Sequence, residues 1–308
     1  MRAPTGEQYE LSLSTPSGPL RAVITEVAAG IREVTLGGVD LAQPFPLQSV
    51  PPQGAGIVLV PWPNRVKDGV WSLDGAPQHL AITEPARANA IHGLLRFSPY
   101  DLVSRTENAV TLSATVFPQL GYPFLLDTTV SYELVADGLD VTHTVVNAGT
   151  ETAPVAIGAH PYFTIGDVPA ADLTLRVAAN THFEVDERLN VVSEHPVDLT
   201  EYDLRAGKVL GDLSLDDGWG QTVVQGGESV HSLTAPDGRS VAMWADESFG
   251  YVQVYTTRTF PGAELAVAIE PMTAPTNAFN SGDALHWLEP GEEWSVRWGL
   301  RFSGFPAV

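Results

Sequence analysis

Residues 294–302 read WSVRWGLRF, and their alternation decides the fold. Trp294, Val296, Trp298, Leu300 and Phe302 would face one way, and Ser295, Arg297, Gly299 and Arg301 the other. A period of two marks a half-buried strand, because successive side chains leave the backbone on opposite sides. Shorter runs of the same kind lie at 20–26 (LRAVITE), 109–116 (AVTLSATV), 127–136 (DTTVSYELVA) and 139–147 (LDVTHTVVN). Asp-Gly pairs at 68–69, 74–75, 137–138, 217–218 and 237–238 punctuate them. The pair at 137–138 falls between two alternating runs and predicts a hairpin. No long stretch keeps a helical apolar stripe without Gly or Pro breaking it, so brief helical turns are expected only near 200–206 and 276–280. The expected fold is all-β: a large antiparallel β-sandwich with very little helix, formed by residues 1–308 as a single domain.

Composition narrows the function. With 308 residues, 44% of them apolar, the chain can bury a sizeable core. Cysteine is absent, which excludes disulfides, thiolate metal sites and a cysteine nucleophile. Against 37 acidic residues stand 16 basic ones, for a net charge of −21. Such a field repels phosphate backbones, so nucleic acid is not an expected partner. No apolar run approaches the roughly 18 residues of a membrane-spanning helix, and no membrane association is expected. MRAPTGE at the start is followed by polar sequence without the apolar centre of an export signal, so a cytoplasmic location is the expectation.

Four segments break the strand-and-turn pattern. Pro61-Trp62-Pro63-Asn64-Arg65 follows an apolar run; its prolines would stiffen the chain, letting Trp62 stack on a sugar face and Arg65 donate to hydroxyls. A proline-rich loop with Arg65 paired to a carboxylate is the plainer alternative. In Ala90-Ile91-His92-Gly93-Leu94, the glycine would let backbone approach a ligand beside His92, unless His92 is only a structural histidine. In Gly158-Ala159-His160-Pro161-Tyr162-Phe163, Pro161 holds His160 out of helical geometry, where an imidazole serves as general acid or base or simply packs in an aromatic turn. Glu270 ends the apolar run Leu265–Ile269, a costly position for a carboxylate that is neither paired nor used. Partial desolvation would raise its pKa, which suits a base; a partner such as Arg65 would suit a structural role. His92, His160 and Glu270 form a conceivable zinc donor set, but the spacing matches no metalloprotease pattern and no metal is expected. No phosphate-binding glycine loop and no nucleophile elbow is present.

Taken in order, PWPNRV at 61–66, IHGL at 91–94, AHPYF at 159–163 and IEPMTAPTNAF at 269–279 resemble the motifs of the aldose 1-epimerase (galactose mutarotase) family. GYPF at 121–124 and VQVYT at 252–256 resemble further stretches of it. The resemblance implies the galactose mutarotase-like supersandwich, with an open cleft on one sheet. It implies Glu270 as general base and His160 as general acid, with Arg65 and His92 positioning the sugar. The family's sugar-binding Asp fits Asp216 in Leu215-Asp216-Asp217-Gly218-Trp219, with Asp217 as a close rival that could be a turn residue. The implied reaction interconverts the α and β anomers of a free monosaccharide and requires no cofactor. Two alternatives stay open: a hexose-6-phosphate 1-epimerase, for which Arg96 is a candidate cationic residue, and a non-catalytic carbohydrate-binding β-sandwich. A glycoside hydrolase using Glu270 and Asp216 would leave both motif histidines unexplained.

Overall fold

The computed structural model describes residues 2–307. Of its residues 51% lie in strands and 6% in helix, an all-β fold. Two large antiparallel sheets dominate. A 12-stranded sheet runs from Gln8–Thr15 through Gly18–Thr25, Ile31–Leu36, Val39–Ala42 and Tyr162–Phe163 to its middle strands, Ala266–Met272 and Tyr251–Thr257. It continues through Asp216–Thr222 and Ala179–Val185 to Val191–Pro196. A 10-stranded sheet runs from Asp101–Arg105 through Ala109–Val116, Leu126–Val135 and Gly138–Asn147 to Glu293–Ser303, then on through Ser240–Asp246 and Glu228–Thr234. Their inner faces meet in one hydrophobic cluster. Val34, Val252, Val254, Val267 and Ile269 enter it from the first sheet, and Val130, Val141, Val296, Trp298 and Leu300 from the second. This is a β-sandwich, as the alternation implied.

Glu293–Ser303 behaves as its sequence reads. Val296, Trp298, Leu300 and Phe302 are buried, while Ser295 and Arg297 are exposed. Gly299 departs from the pattern because Trp244 covers the outer face there; a Cβ at 299 would overlap the Leu139 carbonyl oxygen and the Trp244 ring. The hairpin at 137–138 forms, with Val135 paired to Gly138, so its two-residue loop is Ala136–Asp137. Gly138 already belongs to the strand, and its lack of a side chain admits the Leu300 carbonyl oxygen of the neighbouring strand. Asp74 and Gly75 both take left-handed backbone angles between the paired strands Val70–Leu73 and Ala76–His79. The pair at 217–218 is no turn; it lies inside the strand Asp216–Thr222.

The helical turn near 276–280 is Ala278–Ser281. The stretch 200–206 forms turns without helix. There the Thr200 hydroxyl accepts the Tyr202 N–H and the Asp203 carboxylate the Arg205 N–H, local bonds that compete with a helical ladder. No helix of the described residues is long and apolar enough to cross a membrane.

Two buried histidines serve the fold as acceptors. Trp298 Nε1–H donates to His143 Nε2 at 2.8 Å, and the Ala178 N–H donates to His231 Nδ1 at 3.2 Å. Burial pushes both imidazoles down to about 3. Unfolded, each would titrate near 6.5, so their contribution is whole above about 6.5 and is lost as pH falls toward 3. Urea unfolding between pH 7 and pH 4 should therefore lose about 1.4 kcal/mol per pH unit for each histidine below 6.5. His143→Gln, which retains an acceptor for Trp298, should show a shallower slope; an unchanged slope would remove His143 from this account.

Candidate functional site

The site is built on the face of the 12-stranded sheet that turns away from the shared core. Along Ala266–Met272, Val267 and Ile269 enter the core, so Ala266, Ala268 and Glu270 face outward. Register carries this face sideways. Gln253 pairs with Glu270 and Tyr255 with Ala268; one strand further, Asp216 pairs with Tyr255 and Gly218 with Gln253. Asp216 thus shares the face of Glu270. Asp217 points the other way, where it meets His182 Nε2 at 2.8 Å. Only Asp216 of the two lines the cavity.

The opposite wall comes from a two-stranded ribbon, Arg65–Val66 with Ala90–Ile91, which presents Arg65 and leads into His92. The segment after Glu270 holds these parts in place. Thr273 exchanges two bonds with Ile157, both 2.9 Å, just before the turn that carries His160. The Asn277 N–H donates to the Arg65 carbonyl oxygen at 2.7 Å, and its side-chain oxygen accepts the Lys67 N–H at 2.9 Å. His92 and Gly93 both adopt left-handed angles, φ 63° and 69°. The glycine is needed there against the backbone of Val60, where a Cβ would overlap the carbonyl oxygen. It serves the ribbon's docking against Val60.

These residues enclose a cavity of about 290 Å³, lined by Arg65, His92, His160, Asp216, Gln253 and Glu270 among others. That is at the small end of ligand cavities, which run from about 300 to 1,000 Å³. Three larger hollows, of about 820, 580 and 550 Å³, contain none of these six residues. Within the cavity, His160 Nε2 lies 3.3 Å from Glu270 Oε1. The His92 and His160 rings meet edge to face, their centroids 5.2 Å apart. Arg65 binds Glu84 through two bonds of 2.8 and 3.0 Å, and its guanidinium lies 3.7 Å from Asp216. Gln253 donates to Asp216 at 2.9 Å. Glu270 Oε2 and the Nδ1 atoms of His160 and His92 are buried without a protein partner.

Burial pushes the Glu270 carboxyl well above the usual range; Asp216 adds to this and Arg65 opposes it. Burial, reinforced by Arg65, pushes His160 down to about 4. His92 is driven well below its ordinary value by burial, then by the nearby His160, Arg65 and Arg96. Both shifts in the Glu270–His160 pair favour one proton held between them, resting on the carboxyl. Such a pair can take a proton from one oxygen of a bound molecule and give one to another. Although His92, His160 and Glu270 share the cavity, no group of three or more His, Asp or Glu among the described residues is arranged to hold a metal ion.

A family model described as aldose 1-epimerase matches residues 10–301. The chain belongs to the aldose 1-epimerase family. It is 34% identical over 289 residues to the uncharacterized protein YihR of Escherichia coli (strain K12), covering 91% of this chain and 90% of that one. It is 28% identical over 286 residues to human galactose mutarotase, covering 83% and 80%. Its fold matches the crystal structure of the GalM/aldose epimerase homologue from C. elegans with a TM-score of 0.83 at 19% identity, over 96% of this chain and 99% of that one.

Of the residues read from sequence in this aldose 1-epimerase family member, Arg65, His92, His160, Asp216 and Glu270 come together in the cavity. Trp62 does not. It is 3% exposed and packs against Phe279 and Tyr122, with ring centroids 5.4 and 6.5 Å away, so it has no face to offer a sugar. The prolines beside it do fix the ring, but into the core. Sequence reasoning did not single out Gln253 or Glu84. Gln253 sits within the family-like stretch VQVYT, whereas Glu84 lies in a polar loop with no pattern to mark it.

Two expectations follow from these placements. Trp62→Phe should lower stability by about 1 kcal/mol and leave the affinity for any cavity ligand unchanged, as read by thermal unfolding beside ligand titration. Glu270 has a folded pKa above its unfolded one, so its ionisation reduces stability as pH rises from about 4.5 toward the folded value. Glu270→Gln should therefore unfold at a higher temperature than wild type near pH 8, with the gain vanishing near pH 4.5. A lower melting temperature at both pH values would contradict the cost assigned to this carboxylate.

Proposed function

We propose that this protein interconverts the α and β anomers of a free aldose, with residues of the whole chain acting as one unit. Opening of the ring removes a proton from the C1 hydroxyl and delivers one to the ring oxygen. For this the pair's single proton first passes from the Glu270 carboxyl to His160 across their 3.3 Å contact; the Glu270 carboxylate then accepts the C1 proton and the His160 imidazolium donates to the ring oxygen. The C1–ring oxygen bond breaks, the C1 oxygen becomes an aldehyde, and rotation about C1–C2 precedes reclosure. On reclosure Glu270 returns its proton to the aldehyde oxygen and His160 recovers one from the attacking hydroxyl. The pair therefore starts and ends each cycle with the same single proton. Arg65, His92 and Asp216 bind the sugar's oxygens; Glu84 and Gln253 hold Arg65 and Asp216 in position.

One observation carries this reading: the 3.3 Å approach of His160 and Glu270 within a monosaccharide-sized cavity. Family membership and the likeness to human galactose mutarotase support it. A second reading, a hexose-6-phosphate substrate, has one observation in its favour. Arg96 lines the cavity and donates to the Thr83 carbonyl oxygen, yet among the described residues it makes no ion pair.

Polarimetry of freshly dissolved α-D-glucose and α-D-galactose tests both readings, with sugar-phosphate anomer exchange followed by NMR. Wild type should speed relaxation to the unchanged equilibrium rotation. Glu270→Gln and His160→Ala should each lose about 10²-fold or more of the rate. Acceleration confined to the phosphorylated sugar would favour the second reading, and acceleration of neither would overturn both. The rate should also depend on pH through the pair as a whole: an acid limb near 4, where a second proton binds, and an alkaline limb at the raised carboxyl. A profile flat from pH 3 to pH 9 would exclude Glu270 and His160 as acid and base.

A further inference from the structure

With Trp62 in the core, two phenyl rings line the cavity, the half-buried Tyr255 and the exposed Phe97. Phe97 lines the cavity and is 56% exposed. Its position is fixed from both sides. Arg96 and Phe97 are the central residues of a turn closed by the Ser98 N–H on the Leu95 carbonyl oxygen at 3.0 Å. Leu95 is buried in the main core before the turn, and Tyr100 is buried after it. The Ser98 carbonyl oxygen accepts the Ala28 N–H at 2.8 Å, and the Tyr100 N–H donates to the Glu26 carbonyl oxygen at 2.9 Å. The ring thus projects from an anchored loop and loses little freedom on binding a ligand.

Arg96 completes the arrangement. Its guanidinium lies over the Phe97 ring, 5.0 Å from the centroid, while donating to the Thr83 carbonyl oxygen at 3.2 Å. The cation occupies one face of the phenyl group and leaves the remaining surface open. An aromatic face beside a polar cavity suits a molecule with one hydroxylated edge and one face of C–H groups. A pyranose ring has this shape.

We propose that Phe97, backed by Arg96, is the platform on which the ring of an aldopyranose stacks while its C1 and ring oxygen meet Glu270 and His160. The proposal rests on the anomer-interconverting function above and adds a binding residue to it. Because the platform touches the ring and not the reacting oxygens, it holds substrate and transition state alike, and its loss falls on KM rather than kcat.

The test compares wild type with Phe97→Ala and Phe97→Tyr, using initial mutarotation rates over a range of α-D-glucose and α-D-galactose concentrations, with melting temperatures alongside. Calorimetric binding of the same sugars to Glu270→Gln, with and without Phe97→Ala, removes turnover from the measurement. Phe97→Ala should raise KM about tenfold with kcat within about twofold, and weaken binding equally. Phe97→Tyr should restore both, and the melting temperatures should agree. An active wild type whose KM is unchanged in Phe97→Ala overturns the platform and leaves the reaction standing. So does a fall in kcat together with melting temperature, which marks a structural role. A wild type that neither binds nor turns over either sugar overturns the reaction and the platform together.

Discussion

Everything at the site answers to one constraint: a carboxyl group sits in a strand buried on both faces. Every residue of Ala266–Met272 is buried, and Glu270 is 2% exposed. An isolated charge in such a place costs several kcal/mol even after the surroundings relax. The protein meets the cost in two ways. The carboxyl is driven toward its neutral form, and the cation nearest it, Arg65, is itself held by Glu84 and Asp216. Asp216 in turn accepts from Gln253, for which Gly218 leaves room. Arg65, Glu84, Asp216 and Gln253 form a connected set, while Glu270 itself meets His160 at 3.3 Å.

The backbone follows the same logic. Residues 269–279 supply Glu270 and then tie down the rest of the site. Thr273 fixes the approach to His160, and Asn277 fixes the ribbon that carries Arg65. Chain segments far apart in sequence are thus referenced to one short stretch. This explains the density of that motif better than direct chemistry does, since only Glu270 among Glu270, Thr273 and Asn277 lines the cavity.

The fold was largely legible because a half-buried strand leaves a period of two that needs no tertiary information. Glu293–Ser303 and the hairpin at 135–138 followed it closely. Within the site, Arg65, His92, His160 and Glu270 stood out against apolar or proline-rich surroundings. What escaped depended on register and packing. Whether Asp216 or Asp217 faces the cavity is decided by the pairing of Asp216 with Tyr255. Whether Trp62 points outward depends on Tyr122 and Phe279, distant in sequence. Glu84 carries no local sign at all, because its importance lies wholly in its two bonds to Arg65. The packing demand on two glycines also escaped. Gly93 and Gly138 exist for close approach between neighbouring backbones, a requirement invisible until the neighbours are known.

The strand Glu293–Ser303 lies between Gly138–Asn147 and Ser240–Asp246, in the interior of the 10-stranded sheet, although it comes last among that sheet's strands along the chain. During synthesis the two halves of the sheet emerge with no central member to join them. Each then presents an unpaired, hydrogen-bonding edge to whatever else is nearby. The sheet is complete only once this strand inserts between them. This sheet therefore cannot be completed strand by strand in chain order, because the strand that joins its two halves comes after all the others.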